Sequence, residues 1–326
     1  MLESLMKIDE IRLNFSADSR FLLNITIALI MFGVALELKL DDFKRLFKQP
    51  RPVLVGILSQ FLLMPFLTFL IVISIKSYIT PTVGLGMILV ASCPGGNISN
   101  FMSSLARGNI ALSVSLTAFS TIGGLILTPF NFAFWGNLYM KVYSMGDAGL
   151  LVRPLEISAL DVFKTIFMIL GIPLILGILC NSKFPNLTSK ILIPMKRFSI
   201  FAFTAIIVII FVKNYDYFVD HIKYIFVLVL IHNMLALATG YYTAAAFRLS
   251  ARNRKTIAIE TGIQNSGLAL VLLFNPMIFP IDTPVGGMAF ITAWWGVWHI
   301  ISGISIAGYW SGFSLKPKPS ESGVAG

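Results

Sequence analysis

Charge is what this sequence has least of. Lys, Arg, Asp and Glu together make up 12% of the 326 residues, about half the share of a water-soluble globular chain. Acids are scarcer than bases, 15 against 25; histidine occurs three times and cysteine twice. Both cysteines, Cys93 and Cys180, fall inside apolar runs, so no disulfide framework is implied. Paired deep aspartates, a His-Glu-x-x-His zinc site and a Ser/His dyad are all missing, which argues against an intramembrane enzyme. Low-complexity tracts are missing too. What is abundant is apolar, at 56%. So few polar side chains cannot cover a water-facing surface of this size, and the chain reads as an all-α, polytopic membrane protein in a lipid bilayer.

The formal net charge of +10 does not point to nucleic acid, because Lys and Arg lie mostly in short loops between apolar runs, where they set orientation. A span needs about 20 apolar residues. Nine segments qualify: 21–38, 53–75, 83–106, 109–136, 160–181, 191–212, 222–247, 255–279 and 286–311. Residues 1–20 mix Lys7, Arg12 and Arg20 with Glu3, Asp9, Glu10 and Asp18, and have no signal-peptide apolar core; they are expected to lie outside the membrane. The transporter domain would then be 21–313, with a cytoplasmic tail at 314–326. Loops of alternate sides carry sixteen and nine Lys and Arg. The richer side holds the C-terminus, placing it in the cytoplasm and the N-terminus outside a cell (inner) membrane.

Two spans are interrupted. The third contains Cys93-Pro94-Gly95-Gly96 and the eighth Gly262-Ile263-Gln264-Asn265-Ser266-Gly267. Their offset of five is odd, as expected of two inverted repeats, about 21–136 and 160–311, the first lacking its opening helix. Broken helices at matching positions point to a binding site near the midplane. Irregular backbone at that depth needs partners for its freed amides and carbonyls. Ser99 and Asn100 add side-chain oxygens there, and Ser113 and Thr117, spaced i, i+4, place two hydroxyls on one helical face. Glu260 is the one acid well inside an apolar span. A carboxylate there costs at least ~2–3 kcal/mol and is read as functional by default; its structural alternative is an ion pair with Arg254 or Lys255. Hard oxygen donors with one carboxylate suit an alkali cation.

The stretches 93–121 (CPGGNISNFMSSLARGNIALSVSLTAFST) and 259–270 (IETGIQNSGLAL) resemble the bile acid/sodium symporter family, as do GVALELKLDDF at 33–43, SQFLLMP at 59–65 and VWHIISG at 297–303. The resemblance covers essentially the whole chain. It implies a core domain of six helices facing a panel domain of three, with two sodium ions beside crossing broken helices. One ion would be held by Ser99, Asn100, Ser113, Thr117 and Glu260. The other would be held by Gln60, Glu260 and Gln264 with backbone oxygens of Thr261 and Ile263. Organic substrate would bind between core and panel near Asn97, Asn265 and His299. Bacterial members often read His-Asn in the last span, where this chain has His299-Ile300. His232-Asn233 of the seventh span reads as packing.

The expected activity is sodium-coupled symport of an organic anion (bile acid-like, a sterol conjugate or a small carboxylate) by alternating access, with no cofactor beyond the coupling ions. Competing readings are a sodium/proton exchanger, which usually needs more than one deep acid, a metalloid efflux carrier using Cys93, and a passive channel.

Overall fold

The computed structural model describes residues 2–9, 25–26, 28–33, 35–36, 50–96, 98–144, 157–213, 215–275, 278–279 and 283–312. The described residues are helical throughout, joined by short turns. In chain order the helices are α1 (Leu2–Asp9), α2 (Pro50–Leu58), α3 (Met64–Ser74), α4 (Pro81–Ser92), α5 (Ile98–Leu105), α6 (Ile110–Ser144), α7 (Ala159–Ile166), α8 (Ile172–Lys183), α9 (Pro185–Lys213), α10 (Tyr215–Ala246), α11 (Ala251–Gly262), α12 (Ser266–Leu273) and α13 (Gly286–Ser311).

Among the described residues, five helical stretches are long and apolar enough to cross a membrane: Pro50–Ser74, Ile110–Tyr143, Ala159–Lys183, Ile222–Ala246 and Gly286–Ser311. The expected span 191–212 lies within α9, and the described residues of 21–38 are helical at 25–26, 28–33 and 35. The fourth span is longer than expected: its helix runs on past 136 to Ser144, because nothing in Gly136–Ser144 beyond Gly136 itself disfavours helix.

Two of the long stretches are each relaxed by a five-residue π turn just before a proline. Ser59–Leu63 precedes Met64-Pro65, and Phe167–Gly171 precedes Ile172-Pro173. Proline has no N–H, so Pro65 leaves the Phe61 carbonyl without its usual donor. The Asn131 side chain of α6 donates to that carbonyl at 2.8 Å. A buried polar group is thereby satisfied, and α2–α3 is tied to α6.

The third and eighth spans are broken, as the glycine runs predict. Each divides into a half-helix of 12 residues and one of 8: α4 with α5, and α11 with α12. Their breaks meet. Gly95 and Gln264 form an antiparallel bridge. Gly96 N–H donates to Ile263 O and Asn265 N–H to Pro94 O, both at 2.8 Å. Each interruption supplies the backbone partners the other lacks, which is what makes non-helical chain tolerable inside an apolar protein.

Candidate functional site

The site is assembled from one face of α6 laid across the two breaks. Ser113, Thr117, Ser120 and Gly124 recur at i, i+4, i+7 and i+11, a single helical stripe. Ser113 and Thr117 both donate to the Glu260 carboxylate, and Ser120 donates to Gln60 Oε1 at 2.6 Å. At Gly124 the stripe admits the Pro94 ring, which a Cβ there would meet at 3.1 Å.

Glu260, on the last turn of α11, is 1% exposed. Its Oε1 accepts from Ser99 Oγ at 2.7 Å as well as from Ser113. Thr117 Oγ1 lies 3.3 Å from both carboxylate oxygens and 3.2 Å from Asn100 Oδ1. The cluster expected from the sequence is therefore brought together: Ser99, Ser113, Thr117 and Glu260, all buried, share one group of oxygens with the half-buried Asn100. The alternative ion pair is not formed. Arg254 Nε donates to Leu249 O at 2.7 Å, and Lys255 Nζ reaches Ala106 O at 3.2 Å and Trp310 O at 3.3 Å. Among the described residues the one ion pair is Lys164–Asp161, far along the chain.

The second expected group surrounds the backbone of the α11 break. Gln60 Nε2 donates to Glu260 O at 3.1 Å, and Gln264 Nε2 donates to Thr261 O at 3.0 Å. Gln264 Oε1 is buried with no hydrogen-bond partner, and so is an oxygen free to coordinate. Gly95 seals the junction of the two groups. A Cβ on it would meet Gln60 Nε2 at 2.7 Å and Glu260 Oε2 at 3.1 Å, so a side chain there would push one of these two groups out of its present position.

The substrate residues are more scattered. Asn97 lies outside the described residues. Asn265 acts as the N-cap of α12, its side chain accepting from Leu268 N–H at 3.0 Å. His299 is buried on α13, and its Nδ1 has no hydrogen-bond partner.

Three residues were missed by sequence reasoning. Ser120 extends the α6 stripe and was findable as the next position after Thr117. Ser59 pairs its hydroxyl with that of Thr261 at 3.0 Å. Asn233, read as packing, donates Nδ2–H to Gly262 O at 2.8 Å; its neighbour His232 has Nε2 2.8 Å from Thr68 Oγ1 and its ring tilted against that of Trp295. Cys93 is fully buried among apolar side chains.

Long apolar helices and two breaks joined over a buried oxygen cluster define a multi-pass membrane protein with an interior polar site. The sodium bile acid symporter family matches residues 24–221. The chain is 31% identical over 319 residues to the uncharacterized sodium-dependent transporter YocS of Bacillus subtilis (strain 168), covering 95% of this chain and 90% of that one. It is 27% identical to the ileal sodium/bile acid cotransporter of Oryctolagus cuniculus, covering 85% and 78%. A probable chloroplastic sodium/metabolite cotransporter, BASS2, of Oryza sativa subsp. japonica is 29% identical, covering 79% of this chain and 58% of that one. The chain belongs to the sodium bile acid symporter family, a family of transporters and not of enzymes.

Proposed function

We propose that this protein is a secondary active symporter that couples inward sodium movement to uptake of an organic anion. The observation that carries the reading is the buried Glu260 carboxylate, ringed by the hydroxyls of Ser99, Ser113 and Thr117, with no cationic side chain of the described residues on it. A buried carboxylate without a counter-charge is costly, and a bound cation removes that cost. Two sodium sites fit the donors. The first uses Ser99, Asn100, Ser113, Thr117 and Glu260. The second uses Gln60, Glu260 and Gln264 with the carbonyls of Thr261 and Ile263. The chemistry fits a hard alkali cation, since every donor is oxygen. Among the described residues no group of three His, Cys, Asp or Glu could hold a transition metal.

Equal half-helices on both sides of the two breaks support an inverted-repeat architecture of nine spans, with six helices in a core and three in a panel. Substrate sits in the crevice between them, near Asn97, Asn265 and His299, where half-helix N-termini favour an anionic group. The names of the relatives, bile acid and metabolite cotransporters, support an amphipathic or small carboxylate as cargo. The N-terminus faces outward and the C-terminus the cytoplasm; a C-terminal reporter active only outside the cell overturns that orientation.

The driving force is sufficient. Two sodium ions with a monovalent anion carry one net charge. At ~100 mV and a tenfold sodium gradient this amounts to about 5 kcal/mol, enough for roughly 10³–10⁴-fold accumulation. The test is a thermal-shift screen of bile acids, sterol conjugates and keto acids with and without sodium, followed by uptake of the hits into proteoliposomes. Sodium-dependent stabilisation and uphill accumulation of unchanged compound are expected. Uptake that only equilibrates would instead make the protein a passive channel.

A further inference from the structure

Breaking α11 after Gly262 frees a run of carbonyls, and each finds a donor from a different part of the molecule. Glu260 O accepts from Gln60, Thr261 O from Gln264, Gly262 O from Asn233, and Ile263 O from Gly96 N–H. The Gln60 and Gln264 side chains belong to the proposed ion site themselves. Asn233 does not. It stands on α10, 29 residues before Gly262, and donates to the carbonyl that lies between those of Thr261 and Ile263. The peptides on either side, Thr261 and Ile263, are those whose oxygens the second sodium site requires.

Asn233 is held rigidly enough to set that carbonyl. It is 0% exposed. Two further positions on the same α10 stripe, Leu237 and Gly240 at i+4 and i+7, press onto α11. A Cβ on Gly262 would meet Leu237 Cδ2 at 2.5 Å, and one on Gly240 would meet Ile257 O at 2.5 Å. Helix axes this close leave the amide little freedom. The orientation is also fixed by chemistry, because the reversed amide would set Oδ1 against the Gly262 oxygen, acceptor against acceptor.

We propose that Asn233 is a positioning residue for sodium: by holding the Gly262 carbonyl it fixes the directions in which the Thr261 and Ile263 carbonyls point, and so the geometry of the second ion site. The proposal rests on the sodium reading above. Without the Nδ2–H donor the Gly262 carbonyl turns to seek another partner, and the adjoining peptide planes turn with it. The loss falls on ion affinity and on cooperation between the two ions, not on the fold as a whole.

The test is equilibrium binding of ²²Na⁺ to the full-length protein in nanodiscs. Asn233→Leu, which keeps the volume and removes the donor, and Asn233→Ser, which keeps a small polar group too short to reach, are compared with wild type and Glu260→Gln. Both Asn233 variants are expected to raise the sodium half-saturation about tenfold, the effect of one buried hydrogen bond, and to lower the Hill coefficient toward one. Thermal midpoints in choline chloride separate this from a packing role, which lowers the midpoint and leaves sodium half-saturation unchanged. If Asn233→Leu does not fold, Asn233→Ser gives the same readout. If Glu260→Gln binds sodium as wild type does, the ion-site reading fails. If Glu260→Gln loses binding while folded Asn233 variants keep wild-type half-saturation and steepness, the positioning role alone is overturned.

Discussion

Pro94 and Asn265 meet backbone to backbone, the Asn265 N–H donating to the Pro94 carbonyl at 2.8 Å across 171 residues of chain. With the Gly96–Ile263 bond beside it, this makes the two broken spans one structural unit. Neither break can change its backbone without disturbing the other, and Glu260 lies one turn from the crossing. A cation bound at the carboxylate, as proposed above, would act on both half-helix pairs at once.

The first prediction concerns that carboxylate. Glu260→Gln keeps the size and one oxygen but removes the charge that both ions would share. Uptake measured across a sodium titration should lose its steepness, and both ion sites should weaken together. Thr117→Ala should damage the first site and Gln264→Ala mainly the second, each leaving a shallower sodium response. Wild-type midpoint and steepness in Glu260→Gln would remove Glu260 from the site.

Gly95→Ala tests the junction itself. The new methyl would lie 2.7 Å from Gln60 Nε2 and 3.1 Å from Glu260 Oε2. One side chain or the other must shift, at a cost of about 1–3 kcal/mol for an overpacked site. The expected outcome is folded protein, judged by its gel-filtration profile, with sodium-induced thermal stabilisation reduced or lost. Gly312→Ala is the comparison: it meets nothing within 4 Å, though its φ of +67° makes alanine mildly strained.

Asp9 gives a pH prediction. α1 buries Leu5 and Ile8, and its last residue, Asp9, accepts hydrogen bonds from Thr80, Thr82 and Gly287 N–H. Burial pushes the carboxyl up from the usual 3.8 to about 6, against the opposing pull of those donors. A group whose pKa is raised on docking binds its proton more tightly when docked. The stability it contributes is complete below about pH 4 and is lost as the pH rises through about 6. α1 should therefore hold more tightly at pH 5 than at pH 8. Asp9→Asn should abolish that difference and tighten docking at pH 8 by up to about 2–3 kcal/mol. Hydrogen exchange of the α1 amides at the two pH values measures it; equal protection in wild type at both would refute the assignment.

Cys93 should be slow to react with thiol reagents. Its side chain is 0% exposed, packed among apolar neighbours at the first break. Labelling of a Cys180→Ser protein in intact vesicles should run far slower than labelling of the same protein unfolded in detergent. Fast labelling that sodium suppresses would place Cys93 in an open crevice instead.

Much of the site could be read from the sequence because membrane burial makes polar residues informative. Glu260, Ser99, Ser113 and Thr117 stand out against apolar neighbours, and the three hydroxyls all meet the Glu260 carboxylate. Gln60 came only through resemblance, since a glutamine before Met64-Pro65 serves equally well as a packing residue. Asn233 reads as packing in the sequence because nothing in its surroundings on α10 points at Gly262, whose carbonyl it reaches only in the folded chain. The substrate reading of Asn265 came through resemblance; locally its side-chain oxygen caps α12.

The sequence by itself determined that the chain lives in a membrane, that two spans are broken, and that one acid lies near a break. These follow from composition, from the helix-disrupting effect of glycine and proline, and from the cost of a lone charge among apolar side chains. All are local properties. Only the tertiary structure decided that the breaks pair with each other, that α6 lines them with hydroxyls, and that Asn233 takes the Gly262 carbonyl. The bonds between the breaks and those from α6 to Glu260 join residues separated by 143 to 171 positions, and that of Asn233 joins residues 29 apart. Which buried donor meets which buried acceptor is set by how the helices pack, and no local pattern carries that information.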